Sequence, residues 1–500
     1  MPRRNYLAVD LGLTATKAVV FDEAGAELAS AAGDTPVLAE GDASTVDMEA
    51  VWALAARVIR EALERAGPAA AGALAGVGAS GHGGGLYPVD AGGRPVRPAL
   101  TSMDARAQVV VDRWAAEGRS PYAFSRHQPW AGQLLAQARW LREAARADFD
   151  RTRWALGAKD WLVFRLAGAA SADRTDASND GLLDLASADY APDLLARMDL
   201  AELRPKLAPV HESAAIVGRV TARAAAETGL PEGLPVIAGM LDLVACAVGT
   251  GALDERSASL TAGTWNINCT FDRRLLDVPA SVKTSLGPDP GRFVYVESSA
   301  TSAGNLAWLL ARAEELVGPA PGGRAELYAR MNAGVAQVPP GSGGVTYLPF
   351  IHRAHLAPGV DAAFTGLRAE HGVFHLVRAL YEGVAFAHRA HLEVLEAGGL
   401  RRERAVLSGG AAASPVWCDV FAGVLDRPIE TSDAAQAGAR GVAMAVAVGT
   451  GGRRSYQEAA DAMVRAGRRH VPGTGREAYE EAYGRFRAVA ARLGAVAGGG

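Results

Sequence analysis

The chain has 500 residues, 49% hydrophobic and 21% charged, which is ordinary globular composition and too much for one core, so two domains are expected. With 51 basic against 55 acidic residues and a net charge of -4, nothing favours nucleic acid or a membrane surface as partner, and any polyanion it holds is small and locally bound. Cys246, Cys269 and Cys418 lack metal-ligand spacing and are odd in number, which points away from a disulfide framework and toward a reducing cytoplasm.

In chain order, Met1 to Tyr6 leads straight into a strand pattern with no signal-peptide core. Leu7 to Val9 and Ala18 to Phe21 read as strands around the bend Asp10-Leu-Gly-Leu-Thr-Ala-Thr-Lys17, and Asp22-Glu-Ala-Gly25 supplies the turn into a third strand. Asp47 to Gly67 carries a helical stripe (Val51, Leu54, Ala55, Val58, Ala62, Leu63), with Asp47 as N-cap and Arg60/Glu64 and Glu61/Arg65 as outer i, i+4 pairs. A strand at Ala75 to Ser80 and a hairpin-like stretch turning at Asp90-Ala-Gly-Gly93 follow. Leu234 to Asp242 and Ala258 to Asp272 repeat the opening theme, which suggests two related halves. The long apolar stretch Leu234 to Leu253 is broken by Asp242 and glycines and falls short of a bilayer span. A strand at Ala405 to Gly410 precedes a helix with Ser414 as N-cap and Pro415 at its first position, and the tail after Gly494 is expected to fray.

Two glycine patterns fail on context. GVGASG (Gly76, Gly78, Gly81) has dinucleotide-loop spacing, with Asp104 near the distance of a ribose acid, but a glycine run and a strand follow it instead of a helix. The P-loop pattern is absent. His352 and His355 stand at i, i+3, yet no third ligand accompanies them, so metal is not expected there.

The opening bend is more informative. A carboxylate at a strand end can hold hydrated Mg2+, Gly12 lets the backbone approach an anion, and Thr14, Thr16 and Lys17 can donate to phosphate oxygens. Alone, this bend reads as a plain hairpin with polar turn residues. Further small-residue bends at strand ends, Ala262 to Asn266, Thr301 to Trp308 and Ser408 to Ser414, suit a nucleotide triphosphate held by several backbone-donor loops.

Taken together these segments resemble the FGGY carbohydrate kinase family, from about Leu7 to about Gly451. AKDWLVFRLAG with DRTDAS (Ala158 to Ser178), YLPF (Tyr347 to Phe350), RALYEGVAF (Arg378 to Phe386) and AGARGVAMA (Ala437 to Ala445) add to the match. The resemblance implies an α/β fold of two actin-like, ribonuclease H-like ATPase domains with an interdomain cleft, a sugar side through residue 245 and a nucleotide side from 246 to 500. It implies ATP and Mg2+, with Asp10 at the metal, Thr14 and Lys17 at the phosphates, Gly263 and Thr264 as the second phosphate loop and Gly304 beside it. Gly409, Gly410 and Ala411 match the adenine loop, with Ser414 in place of a frequent Asn. Leu13 departs from the pattern where many members carry a hydroxyl. A homodimer is common for such kinases, though no apolar stripe here can be assigned to an interface.

Phosphoryl transfer needs one base near the attacking hydroxyl and many donors around the phosphates. Asp242, which interrupts an apolar run, matches the family's catalytic Asp; it also reads as a helix N-cap, whose helix end would keep it ionised. His82, Asp104 and Arg106 occupy the family's sugar-contact segments. Asp104 and Arg106 equally read as an ion pair with each other, and His82 as a satisfied polar residue beside glycines that leave room for a ligand. Trp130 reads as core more than as a sugar wall. SMDARA (Ser102 to Ala107), the stretch His127 to Leu141, and TSAGNLAW resemble the L-xylulose kinase branch, with tetritol kinases next. The competing expectations are a non-catalytic ATP-binding module of the same fold and a scaffold without ligands.

Overall fold

The computed structural model describes residues 4–319, 321–352, 355–432 and 436–497. Two seven-stranded sheets form its frame. The first is built on β1 (Asn5–Leu11), β2 (Ala15–Phe21) and β3 (Glu27–Asp34), an antiparallel meander. β1 lies mid-sheet, and Tyr6 to Val9 are at most 1% exposed, as a strand covered on both faces requires. α1 (Met48–Ala66) covers one face, and Asp47 caps it by accepting from the Glu49 and Ala50 N–H groups. Of the two expected outer pairs, Glu61 meets Arg65 at 3.4 Å, whereas Arg60 turns to the Glu227 carbonyl, a tertiary contact that no helix-surface rule anticipates.

β4 (Leu74–Gly81) runs parallel to β1, with β5 (Ile216–Arg219) at the edge and β6 (Pro235–Ile237) between it and β4, in the order β5-β6-β4-β1-β2-β3; β7 (Met240–Leu241) pairs with the end of β4. The GVGASG glycines therefore lie inside a sheet strand, where a Cβ on Gly76 or Gly78 would press on side chains of Val446 and Ile237. The stretch around Asp90 turns as expected, with Asp90 accepting from the Gly92 and Arg94 N–H groups. Its first strand, Tyr87–Val89, pairs with Trp154–Leu156 instead of closing a regular hairpin.

The second sheet repeats the plan with β8 (Ser257–Ala262), β9 (Asn266–Asp272), β10 (Lys283–Leu286), β11 (Phe293–Ser299), β12 (Arg404–Ser408), β13 (Ile429–Ser432) and β14 (Ala466–His470), in the order β10-β11-β9-β8-β12-β13-β14. β8 and β9 form the hairpin that β1 and β2 form in the first sheet, and β12 lies parallel to β8 as β4 does to β1. The repeated theme is thus a repeated topology.

Two helices join the halves. α2 (Asp242–Gly249) packs on α3 (Ala437–Gly449) so closely that a Cβ on Gly441 would sit 2.0 Å from the Ala245 carbonyl oxygen. α3 in turn lies on β1 and β4, so a segment late in the chain covers the first sheet. The last helix, Arg476–Ala497, stays helical past Gly494 because Tyr479, Tyr483 and Phe486 anchor it in the second core; the expected fraying does not begin there. No helix among the described residues is long and apolar enough to cross a membrane.

Candidate active site

Strand register builds the acidic end of the cleft. Asp10 and Met240 both lie opposite Ser80, on the two sides of β4, so Asp10 and the residue after β7, Asp242, converge at the carboxyl ends of adjacent strands, where open α/β sheets bind ligands. Ser80 Oγ donates to Asp10 Oδ1 at 2.8 Å. Burial raises the Asp10 pKa, opposed by that hydrogen bond and by Lys17, which faces Asp10 across the hairpin. The bend is latched from outside: Thr35 donates to the Gly12 carbonyl at 2.8 Å and meets Thr16 Oγ1 at 3.0 Å, leaving Thr14 exposed at the tip. Thr16 is therefore a structural hydroxyl.

Asp242 opens α2 as its first residue; the cap position belongs to Leu241, which supplies no side-chain cap. The carboxylate accepts the Leu243 N–H at 2.6 Å. That single bond does not keep it ionised in the usual range, since burial and the charge of Asp10 push its pKa up to about 7. A base poised near neutrality is suited to taking a proton from a hydroxyl.

Across the cleft, a cavity of about 510 Å³ is lined by Gly263, Thr264, Gly304, Gly410 and Ser414 together with Asn332, Tyr381 and Trp417. The Gly304 N–H donates to the Gly263 carbonyl at 3.0 Å, tying two of these bends together. Gly409 has φ of +83°, and a Cβ there would lie 2.6 Å from the Ala262 carbonyl oxygen, so the turn that opens this wall requires glycine. Ala411 is fully buried beneath the wall and does not line the cavity. Ser414 caps its helix, Pro415–Leu425, by accepting the Trp417 N–H at 3.1 Å, and its hydroxyl donates to Asn332 Oδ1 at 2.7 Å. Tyr381 stacks on Trp417 with centroids 4.0 Å apart and an interplanar angle of 4°. Asn332 and Trp417 carried no functional signal in the sequence, and Tyr381 lies within RALYEGVAF, which marked the segment but not its place in the cavity wall.

In the first half of the chain, Asp104 and Arg106 form the ion pair, Arg106 Nη2 donating to Asp104 Oδ2 at 2.6 Å. Asp104 is fully buried and also accepts the Ser44 N–H at 3.0 Å, while the guanidinium lies over Trp140, 4.6 Å from the ring centre. His82 is buried with Nε2 3.2 Å from the Tyr87 hydroxyl and Nδ1 without a hydrogen-bond partner. Burial lowers its pKa to about 4, so it is neutral. The room expected from the glycines after it is taken by protein: Cβ atoms on Gly83 and Gly84 would meet Leu241, Asn179, the Gly132 carbonyl and Trp130 within 2.7 Å. Trp130 is half-buried, not core, with the Lys283 ammonium 5.3 Å from its ring.

Behind Asp242 lies a buried charge cluster that composition could not show. Lys159, fully buried, pairs with Asp160, with Asp173 at 2.9 Å and with Asp176 at 3.7 Å. Asp173 accepts from Thr175 and Ser213 hydroxyls, and Thr175 Oγ1 accepts the Leu241 N–H at 2.9 Å, which fixes the residue before Asp242.

Two repeated sheets, strand-end carboxylates on one side and a glycine-walled cavity on the other define a phosphotransferase cleft of the actin-like kind. Family models match along almost the whole chain: the FGGY family of carbohydrate kinases, N-terminal domain, over residues 5–249 and C-terminal domain over 258–450. The chain belongs to this family and is an ATP-dependent sugar kinase. It is 30% identical to the L-xylulose/3-keto-L-gulonate kinase of Escherichia coli (strain K12), over 98% of this chain and 97% of that protein. It is 29% identical to the probable L-xylulose kinase of Pasteurella multocida, over 98% and 99%. The solved xylulose kinase of Rhodospirillum rubrum superposes with a TM-score of 0.88 at 28% identity, covering 99% of this chain and 100% of that one.

Proposed function

We propose that this kinase transfers the γ-phosphoryl group of Mg-ATP to a terminal hydroxyl of a small ketose, L-xylulose or a similar pentulose, with Asp242 as the base. The observation that carries the reading is the near-neutral carboxylate of Asp242 set beside Asp10 at the strand ends. Similarity to kinases named for L-xylulose supports the substrate class.

Burial raises the pKa of both carboxylates, the charge of Asp10 raises that of Asp242 further, and Ser80 and Lys17 oppose the rise at Asp10; such a donor set fits a divalent cation. When bound by Asp10, Mg2+ would neutralise charge on the phosphate oxygens. Thr14 and Lys17 donate to phosphates from the first sheet, and Gly263, Thr264 and Gly304 offer backbone donors from the second. Gly409, Gly410 and Ser414 wall the base, with Ala411 supporting them from below. His82, neutral, offers a ring nitrogen to a sugar hydroxyl, and the Asp104–Arg106 pair holds the segment that faces it. Asp242 takes the hydroxyl proton as the oxygen attacks. In this reading residues 1–245 form the sugar side and 246–500 most of the nucleotide side, and closure of the cleft excludes water.

The test is ADP release coupled to a chromogenic readout, with Mg-ATP and a panel of L-xylulose, D-xylulose, L-ribulose, erythritol, erythrulose, glycerol and gluconate. Turnover on L-xylulose at least about tenfold above the others in kcat/KM supports the proposal. Best turnover on erythritol would move the enzyme to the tetritol branch, and ATP binding without any sugar-dependent turnover would overturn the catalytic reading.

A further inference from the structure

The fold supplies what the spacing of His352 and His355 lacks. His355 meets Glu297, from β11, and His391, from the helix Val373–Ala397, and one ligand atom from each lies within 4.8 Å of the others. We propose that Glu297, His355 and His391 form a binding site for a first-row divalent metal ion of the zinc type, separate from the magnesium of the reaction.

The distances suit it. His391 Nδ1 and His355 Nε2 stand 2.9 and 3.1 Å from Glu297 Oε2, close to the edges of roughly 3.3 Å of a tetrahedron with metal bonds of about 2.0 Å. The second nitrogen of His391 lies 3.0 Å from Ser299 Oγ, the kind of outer hydrogen bond that fixes the tautomer of a ligating imidazole. Glu297 is 1% exposed, and its Oε2 is the oxygen that both imidazoles approach.

Entry is open. His391 lines a cavity of about 830 Å³ bounded by the last helix and by residues from Pro279, Ser281 and Leu356 to Val360, and the His355 side chain is 46% exposed. The Lys283 ammonium, whose field also reaches Glu297, lies over Trp130. Two imidazoles and one carboxylate favour zinc, cobalt or nickel over magnesium and calcium, and leave a fourth position for water. An ion there would tie the segment carrying His355 to the second sheet.

The experiment uses the full chain, stripped with a chelator and titrated with Co2+ while the visible ligand-field bands are recorded. One equivalent should give bands of a low-coordinate imidazole site that Zn2+ abolishes and excess Mg-ATP leaves in place. His355→Ala, at an exposed position, removes a ligand and should weaken binding by about 100-fold or more, beyond the cost of losing an outer-shell partner. The surface pair His371 and His375, with rings 5.2 Å apart, provides the control: the double variant to Ala should keep the bands. Absence of the bands in the native protein, their persistence in His355→Ala, their loss in the His371/His375 variant or their removal by Mg-ATP would each overturn the proposal.

Discussion

The negative charge of Asp10, delivered to the other side of β4 by strand register, adds to burial in raising the pKa of Asp242 to about 7. Only the deprotonated carboxylate accepts the sugar's proton, so kcat/KM for the sugar should rise with pH and level off above about 7. Asp242→Asn should lower kcat by about 10²- to 10⁴-fold while ATP still binds. A pH-rate profile flat from pH 5 to 8, or an Asn variant of near-native rate, would remove Asp242 from the role of base.

The same shift has a consequence for stability with the opposite sense to activity. A carboxyl whose pKa is higher in the folded chain than in the unfolded one makes its ionised form a burden, so stability falls as pH rises from about 4 toward 7. Asp242→Asn, which removes that burden, should raise Tm at pH 8 and change it little at pH 4. Thermal melts at the two pH values check this, and an equal effect at both would mean that the shift is not linked to folding.

Gly409 should tolerate no side chain. Its φ of +83° and the 2.6 Å approach of a Cβ to the Ala262 carbonyl predict that Gly409→Ala costs about 1 to 3 kcal/mol and deforms the wall of the nucleotide cavity. The expected result is a lower Tm together with a raised KM for ATP and a smaller change in KM for sugar. By contrast, Asn332→Ala removes a polar group that lines the cavity and accepts from the Ser414 hydroxyl; loss of about one hydrogen bond's worth of binding should raise KM for ATP by about tenfold, with Tm lowered slightly because Ser414 loses its acceptor.

The parts of this molecule that could be read from the sequence are those specified locally. The meander, the Asp47 and Ser414 caps and the glycine bends each depend on a few adjacent residues, and all appear where the residue pattern puts them. Arg60, the filled space beside Gly83 and Gly84, and the position of Trp130 were misread because their partners come from distant segments. Asp242 was legible as a candidate base, but its near-neutral pKa was not: the helix end was expected to dominate, and burial, with a second carboxylate brought in by β1, outweighs it. Asn332 and His391 escaped for the same reason, since each gains its role only when its helix packs beside the second sheet.

Lys159 offers the last test, because the site's geometry leans on it. The ammonium is fully buried among Asp160, Asp173 and Asp176, and through Asp173 and Thr175 the cluster holds the Leu241 N–H, one residue from Asp242. Removing one member of a buried ion network leaves uncompensated charge and costs about 3 to 5 kcal/mol, so Lys159→Met should lower Tm sharply at pH 8. Asp160 and Asp176 already have raised pKa values from burial, and acid neutralises them, so the deficit should shrink at pH 5. Thr175→Val, which spares the charges and breaks the tether to Leu241, should leave most of the stability and lower kcat more than it raises KM. If Lys159→Met were as stable as the native chain at pH 8, the cluster would not be holding this end of the first sheet, and the position of Asp242 would have to be explained by α2 and its glycine-tight packing on α3 alone.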